Sequence, residues 1–191
     1  APVTVSLAPV PLARFPVMEI LARIVHSLKA LSSSSRRKEC PVRILLVANY
    51  EPLAQQSMSR FAEMMKRGLE AAGHDVRLVR PPARLGRLAD GETELGKWLG
   101  YVDRFLLYPL TLRRQATWAD VVHICHQDNS VYVPILRGKA NVLTCHDVIT
   151  IRAAQGKVPG IQVRLTGRVY QRWILSGIKR ARRIVCVSEQ T

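Results

Sequence analysis

Two short stretches carry most of the side chains able to do chemistry. His123-Ile124-Cys125-His126-Gln127-Asp128-Asn129 leaves one apolar run, and Cys145-His146-Asp147 leaves another. Alternation along a strand puts His123 and Cys125 on one face, with His126 at the exit. Histidine, cysteine and aspartate in such company raise the question of zinc. Residues inside a buried strand face helices rather than one another, however, and this spacing matches no standard ligand set. Buried histidines and thiols are the expected reading of His123, Cys125 and Cys145, and no metal is expected. His146 differs, because a strand end places it at the mouth of a cleft. A neutral imidazole there can donate to a sugar hydroxyl or a phosphate oxygen, with Asp147 to orient it. The alternative is a structural histidine satisfied by backbone. His126 and Asn129 join the candidate set from the neighbouring exit.

A third candidate region follows the first apolar run. Asn49-Tyr50-Glu51-Pro52 leads to Gln55-Gln56-Ser57 at the start of a helix. Free backbone N–H groups and the positive end of the helix dipole suit an anion such as a phosphate. An ordinary polar loop with local caps explains the same residues. The chain has no GxGxxG and no GxxxxGK[ST], so neither a dinucleotide site nor a P-loop is supported. A nucleotide-sugar epimerase would need a glycine fingerprint near Ala48, and none is there.

The elements that must position these residues alternate between strand and helix. Residues 42–48 form a short, nearly continuous apolar run, as expected of a central parallel strand. A helix over 55–72 follows, with Met58, Phe61, Met64, Met65 and Leu69 as its inner face. Glu63 and Arg67 form an i,i+4 surface pair, and Gly73 ends the helix as a C′ residue. Residues 75–80 form the second strand, stopped by Pro81-Pro82. Residues 94–115 read as mostly helical and interrupted by Pro109, with Trp98, Leu99, Val102, Phe105 and Leu106 available for burial. Strands are expected over 120–125, counted as the fourth, and over 141–145. A helix over 163–179 follows, and 183–187 closes as a sixth strand. The apolar stripe Leu165, Val169 and Trp173 on that last helix is expected to pack on the core. Its other faces carry Arg164, Arg168, Arg172, Lys179 and Arg180. This order implies an α/β, Rossmann-like, doubly wound parallel sheet with right-handed crossovers.

Bulk properties agree with one such domain over 41–191. The chain has 191 residues, 48% of them hydrophobic, which supports a core and excludes wholesale disorder. The 29 Lys and Arg against 14 acidic residues leave a net charge of +15, favouring nucleic acid, anionic lipid or phosphorylated substrates as partners. The four cysteines form no CxxC pair and read as reduced, buried thiols of a cytosolic protein. Residues 1–40 read as a Pro-rich leader, an amphipathic helix over 18–31 and a basic linker. That helix suits a peripheral packing element, a membrane-surface segment or, less well, a secretory signal. The start at Ala1, and the end at a Ser188 that looks like an N-cap lacking its helix, lead to the expectation of a fragment.

Taken together, these motifs resemble family 4 glycosyltransferases. Arg43-Ile44-Leu45-Leu46-Val47-Ala48, Ala72-Gly73-His74-Asp75-Val76-Arg77 and Ala119-Asp120-Val121-Val122-His123 come first. Val142-Leu143-Thr144-Cys145-His146-Asp147 and Ala181-Arg182-Arg183-Ile184-Val185-Cys186-Val187-Ser188-Glu189 follow in the same order as in that family. Each motif alone is weak; the ordered set, over residues 43–191, is specific.

The resemblance implies the acceptor-side, N-terminal half of a two-domain GT-B enzyme. The activity would be retaining, hexosyltransferase-type transfer from a nucleotide sugar to a glycan or lipid-linked acceptor, with no required metal. By resemblance His146 approaches the transferred sugar. The turn at 49–57 (Asn49, Tyr50, Gln55, Gln56, Ser57) lies near donor phosphates and acceptor, and Ser188 begins the segment toward the second domain. The family's first loop usually carries a glycine pair, and residues 49–59 contain none. The second domain, with most nucleotide contacts and the family's paired glutamates, is not within these residues, so this polypeptide alone is expected to be inactive. A cytoplasmic protein, peripheral at the inner face of an anionic membrane, would account for the charge. The alternative is a stand-alone basic Rossmann-like module that binds nucleic acid or an anionic surface. With 6% aromatics and no RNP-like or helix-turn-helix signature, specific nucleic-acid binding is not expected.

Overall fold

The computed structural model describes residues 41–50, 56–89 and 93–187. The expected leader, helix 18–31 and linker lie outside them, as do Gln55 and Ser188. Five strands form one parallel sheet: β1 (Arg43–Val47), β2 (Asp75–Val79), β3 (Val121–Ile124), β4 (Ala140–Cys145) and β5 (Arg183–Cys186). Their order is β2-β1-β3-β4-β5, so the chain winds outward in both directions from β1. The crevice between the exits of β1 and β3 is the topological switch point, where ligands bind in such sheets. The fold is α/β and Rossmann-like, as expected, with one correction to the strand count. Among the described residues 83–119 supply helix and no strand, so β5 is the fifth strand and not the sixth.

Apolar strands buried on both faces sort their side chains by alternation. Ile44, Leu46 and Ala48 meet Phe61, Ala62, Met65 and Leu69 of α1 (Gln56–Ala71). Leu45 and Val47 face the other way, toward Tyr108, Leu112 and Ala116 of α3 (Tyr108–Ala116). The same layer holds the 3₁₀ segment Gln127–Leu136 and the helix α5 (Leu165–Ile178). Each large aliphatic side chain so buried stabilises the fold by about 1.5–3 kcal/mol. Arg43 clamps the start of β1 to that of β3, with Nη2 2.8 Å and Nε 3.2 Å from the two oxygens of Asp120. Both partners are about half exposed, so solvent screens the pair and it sets register more than stability.

Gly73 ends α1 with φ 84°; its N–H bonds the Glu70 carbonyl, while His74 N–H reaches Leu69. This is a Schellman closure, which needs a residue at ease in the left-handed region. Glu63 pairs with Arg80 of the next segment at 3.3 Å instead of with Arg67, so an interelement contact displaces the expected i,i+4 pair. Pro109 stands in the first turn of α3. It cannot donate to the Phe105 carbonyl, and its ring crowds that oxygen. The chain answers with a π-helical turn, Asp103–Leu107, between α2 (Glu94–Val102) and α3. That widened turn buries Asp103 and Arg104, whereas Trp98 and Leu106, expected in the core, stay 66% and 65% exposed.

Candidate functional site

The exits of β1, β3 and β4 lie side by side. Ala48 N–H bonds the Val79 carbonyl at 2.8 Å and Cys125 N–H bonds that of Val47 at 3.0 Å, so each exit is fixed by its neighbour. Beyond β1, Asn129 Nδ2 donates to the Ala48 carbonyl (3.2 Å) and to Asn49 Oδ1 (2.7 Å). The two amides are buried and tie the first loop to the 3₁₀ segment. Gln127, which no sequence pattern singles out, lends Oε1 to the backbone N–H of His146 at 3.0 Å.

His146 is the half-buried centre of this arrangement. Its Nε2 lies 2.9 Å from the Cys125 carbonyl, which can only accept, so Nε2 carries the proton and Nδ1 is the ring's acceptor. The alternative of a histidine satisfied by backbone therefore holds for one ring nitrogen, Nε2. Phe61 presses edge-on at a centroid distance of 4.8 Å, and His126 stacks at 5.5 Å. His126 Nδ1 accepts the Asp128 N–H at 3.2 Å, which leaves its proton on Nε2. Burial lowers the pKa of both histidines, outweighing Asp128 and Asp147 at His126 and the Cys125 carbonyl and Asp147 at His146, so both rings are neutral at pH 7. Asp147 influences His146 through its charge; its Oδ1 accepts the Ile149 N–H (3.1 Å) at the start of α4 (Ile149–Ala154).

His123 belongs to the core. It is fully buried on the α1 face with Cys125, its Nε2 2.8 Å from Thr144 Oγ1. No group of three or more His, Cys, Asp or Glu among the described residues could hold a metal ion. Cys125 and Cys145 are buried thiols, as expected, while Cys186 is exposed, because β5 is the outer strand of the sheet. Tyr50 places its hydroxyl 3.4 Å from Asp103 Oδ2. Gln56 and Ser57 are exposed in the first turn of α1. The structure thus brings Asn49, His126, Asn129, His146 and Asp147 together and sends Tyr50 to a second cluster.

The stripe on α5 corrects the sequence expectation. Leu165, Val169 and Trp173 are 76%, 59% and 42% exposed, and the buried face is Ile174 and Gly177. Trp173 meets Phe105 at 5.0 Å, Phe105 stacks on Tyr101 at 5.9 Å, and Tyr101 meets Trp98 at 5.9 Å. An aromatic ridge therefore runs from α2 to α5, with exposed Lys97, Arg168 and Arg172 on the same two helices. Among the described residues no helix is long and apolar enough to cross a membrane.

Comparisons with curated proteins and with solved structures return no match. The family model Glycosyltransferase Family 4 matches residues 58–191, from the first turn of α1 through the exits of β3 and β4 to Thr191, and the chain belongs to that family.

Proposed function

We propose that this domain is the acceptor-side half of a retaining GT-B glycosyltransferase, and that a second Rossmann-like domain supplies most contacts to the nucleotide sugar. The observation that carries the reading is His146, held at the switch-point crevice in a fixed, neutral tautomer. A hydroxyl of the transferred sugar or of the acceptor would be met at the His146 ring while the Cys125 carbonyl keeps that ring in place. Glycosyl transfer builds positive charge on the sugar and negative charge on the leaving phosphate. Cationic groups and helix N-termini at that phosphate help most, and no metal is required in this scheme. Closure of the two domains would exclude water and limit hydrolysis of the donor. The test is to offer a panel of nucleotide sugars and glycan or lipid-linked acceptors to the intact enzyme and read the product's anomeric signals by NMR. Retained configuration supports the proposal, inversion removes the retaining mechanism, and no transfer to any acceptor removes the reading.

The aromatic ridge favours a specific setting for that chemistry. Trp98, Trp173, Val169 and Leu165 offer apolar side chains, and the arginines of α5 offer charge, a combination that suits the surface of an anionic bilayer. A cytoplasmic-face location, with a lipid-linked acceptor, follows as part of the proposal. Vesicles with and without anionic lipid provide the test. Binding that falls when Trp98 and Trp173 become serine, and when Arg168, Arg172 and Lys179 are neutralised, supports it. Binding unmoved by both changes and by high salt would sink it. Salt-sensitive binding to arbitrary DNA in place of vesicles would favour the nucleic-acid module instead.

A further inference from the structure

Arg104 is the only lysine or arginine buried among the described residues, at 6% exposure. A buried charge is costly unless an opposite charge or several hydrogen bonds compensate it. Arg104 has neither in full. Of the five N–H donors of a guanidinium, one makes a close hydrogen bond among the described residues, through Nη2 to Tyr170 Oη at 3.2 Å, and the Tyr132 hydroxyl stands near as a weaker acceptor. Nε is buried without a partner. The neighbouring carboxylate does not serve it, because Asp103 accepts from the N–H groups of Leu85 (3.0 Å) and Gly86 (2.8 Å) and faces the Tyr50 hydroxyl. The remaining compensation is aromatic: the guanidinium carbon lies 5.0 Å from the Phe105 ring centre and 5.9 Å from that of Tyr50. Cation–π contacts at these distances compensate a buried charge less than a paired anion does.

The location is informative as well. Tyr50 leaves the exit of β1, and Tyr132, whose hydroxyl donates to the Arg104 carbonyl at 3.0 Å, belongs to the segment leaving β3. The positive charge of Arg104 reaches His126, which it helps to hold neutral. A desolvated cation, walled by tyrosines and under-supplied with acceptors, thus stands beside the crevice that holds His146.

We propose that Arg104 anchors an oxyanion subsite that takes a phosphate or carboxylate group of the acceptor. The assignment to the acceptor rests on the reading of this domain as the acceptor-side half. Guanidinium suits the task because its planar fork meets such a group with two parallel N–H bonds, each charge-assisted. The low dielectric that makes the lone cation costly strengthens its bond to an arriving anion. An acceptor bearing a phosphate or a uronic-acid carboxylate near the attacking hydroxyl would be anchored here and rejected when neutral.

Thermal shift and calorimetric titration of the 191-residue chain test this with inorganic phosphate, glucose 6-phosphate, glucuronate, glucose and uridine diphosphate. The expected result is stabilisation by phosphate and by at least one acidic sugar, and none by glucose. Arg104→Met should weaken that binding roughly ten- to hundredfold, and Arg104→Lys less. Should the methionine variant fail to fold, the lysine variant and the Nε–H signal of Arg104 in arginine-labelled protein, followed during phosphate addition, decide the same question. No binding, binding equal in wild type and variants, or an unmoved Nε–H signal overturns the subsite. Dependence on Arg104 for uridine diphosphate alone assigns the cation to the donor and overturns the acceptor assignment. Transfer by the intact enzyme to a neutral acceptor, unaffected by Arg104→Lys, would remove this inference and leave the glycosyltransferase reading standing.

Discussion

His146 gives its Nε2 proton to the carbonyl oxygen of Cys125, 2.9 Å away, and that bond joins the exit of β4 to the exit of β3. It fixes the ring's tautomer, with the proton on Nε2 and an acceptor lone pair on Nδ1. Protonation would remove that acceptor and keep the bond to Cys125, so activity should depend on the neutral ring. Burial lowers the His146 pKa, which puts the acid limb of kcat/KM below the ordinary histidine value of 6.5. Asp147 opposes the shift through its charge, so Asp147→Asn should move the limb to still lower pH. The asparagine retains an Oδ1 to accept the Ile149 N–H. His146→Ala in the intact enzyme should lower the rate by about 10²–10⁴-fold with the fold kept. An acid limb unmoved by Asp147→Asn would count against His146 as the titrating group.

Asn129 should matter to stability as well as to the site. Its amide serves the Ala48 carbonyl and Asn49 Oδ1, and it is 1% exposed. Asn129→Ala would leave buried acceptors without that donor, a loss of about 1–3 kcal/mol. Urea unfolding followed by circular dichroism measures it. A midpoint within error of wild type would mean that water or local movement replaces the amide.

The strands and α1 are legible in the sequence because their signals are local: continuous apolar runs for β1, β3 and β4, and a clear inner face ending in Gly73. The 3₁₀ segment Gln127–Leu136 has neither period and contains Pro134, so only its first residues stand out, as polar groups after a strand. The face of α5 misleads for a physical reason. Apolar side chains at every fourth position normally mark the buried side, but here contact is made through Ile174 and Gly177, and a glycine carries no apolar signal. Arg104 escapes notice because a lone arginine in a helix reads as surface, and the π-helical turn that buries it depends on Pro109 acting at a distance of five residues. Of the site, position after a strand identifies His146, whereas its tautomer requires the partner carbonyl.

His123 should set part of the acid sensitivity of the fold. It is fully buried beside Thr144, and burial pushes its pKa from 6.5 down to about 3. As pH falls below 6.5, the unfolded chain takes up a proton that the folded chain refuses. The stability gained by keeping the ring neutral is whole above 6.5 and lost progressively toward about 3. The slope is about 1.4 kcal/mol per pH unit for one such group. His123→Gln, which keeps a polar group toward Thr144, should flatten the dependence of unfolding free energy on pH between 6 and 4 by about that slope. Parallel curves for the two proteins would show that another group dominates.

Gly177 is where α5 touches the 3₁₀ segment, and two glycines of one helix offer an internal control. A Cβ at 177 would strike the backbone carbonyl of Ser130, which cannot rotate aside. The same seam is fastened by Ser130 Oγ donating to the Ile174 carbonyl at 2.7 Å. A Cβ at 167 would approach only Cγ1 of Val163, the movable end of a side chain. Alanine improves helix propensity by about 1 kcal/mol at either position. Gly167→Ala should therefore be neutral or stabilising. Gly177→Ala should lose about 1–3 kcal/mol as α5 is pushed from its seat, lowering Tm by roughly 2–10 °C. Because α5 carries Tyr170, the partner of Arg104, the same substitution should also weaken phosphate binding by the chain. Equal melting temperatures for the two variants would mean that α5 can shift without cost, and the close approach at Ser130 would then be incidental to the fold.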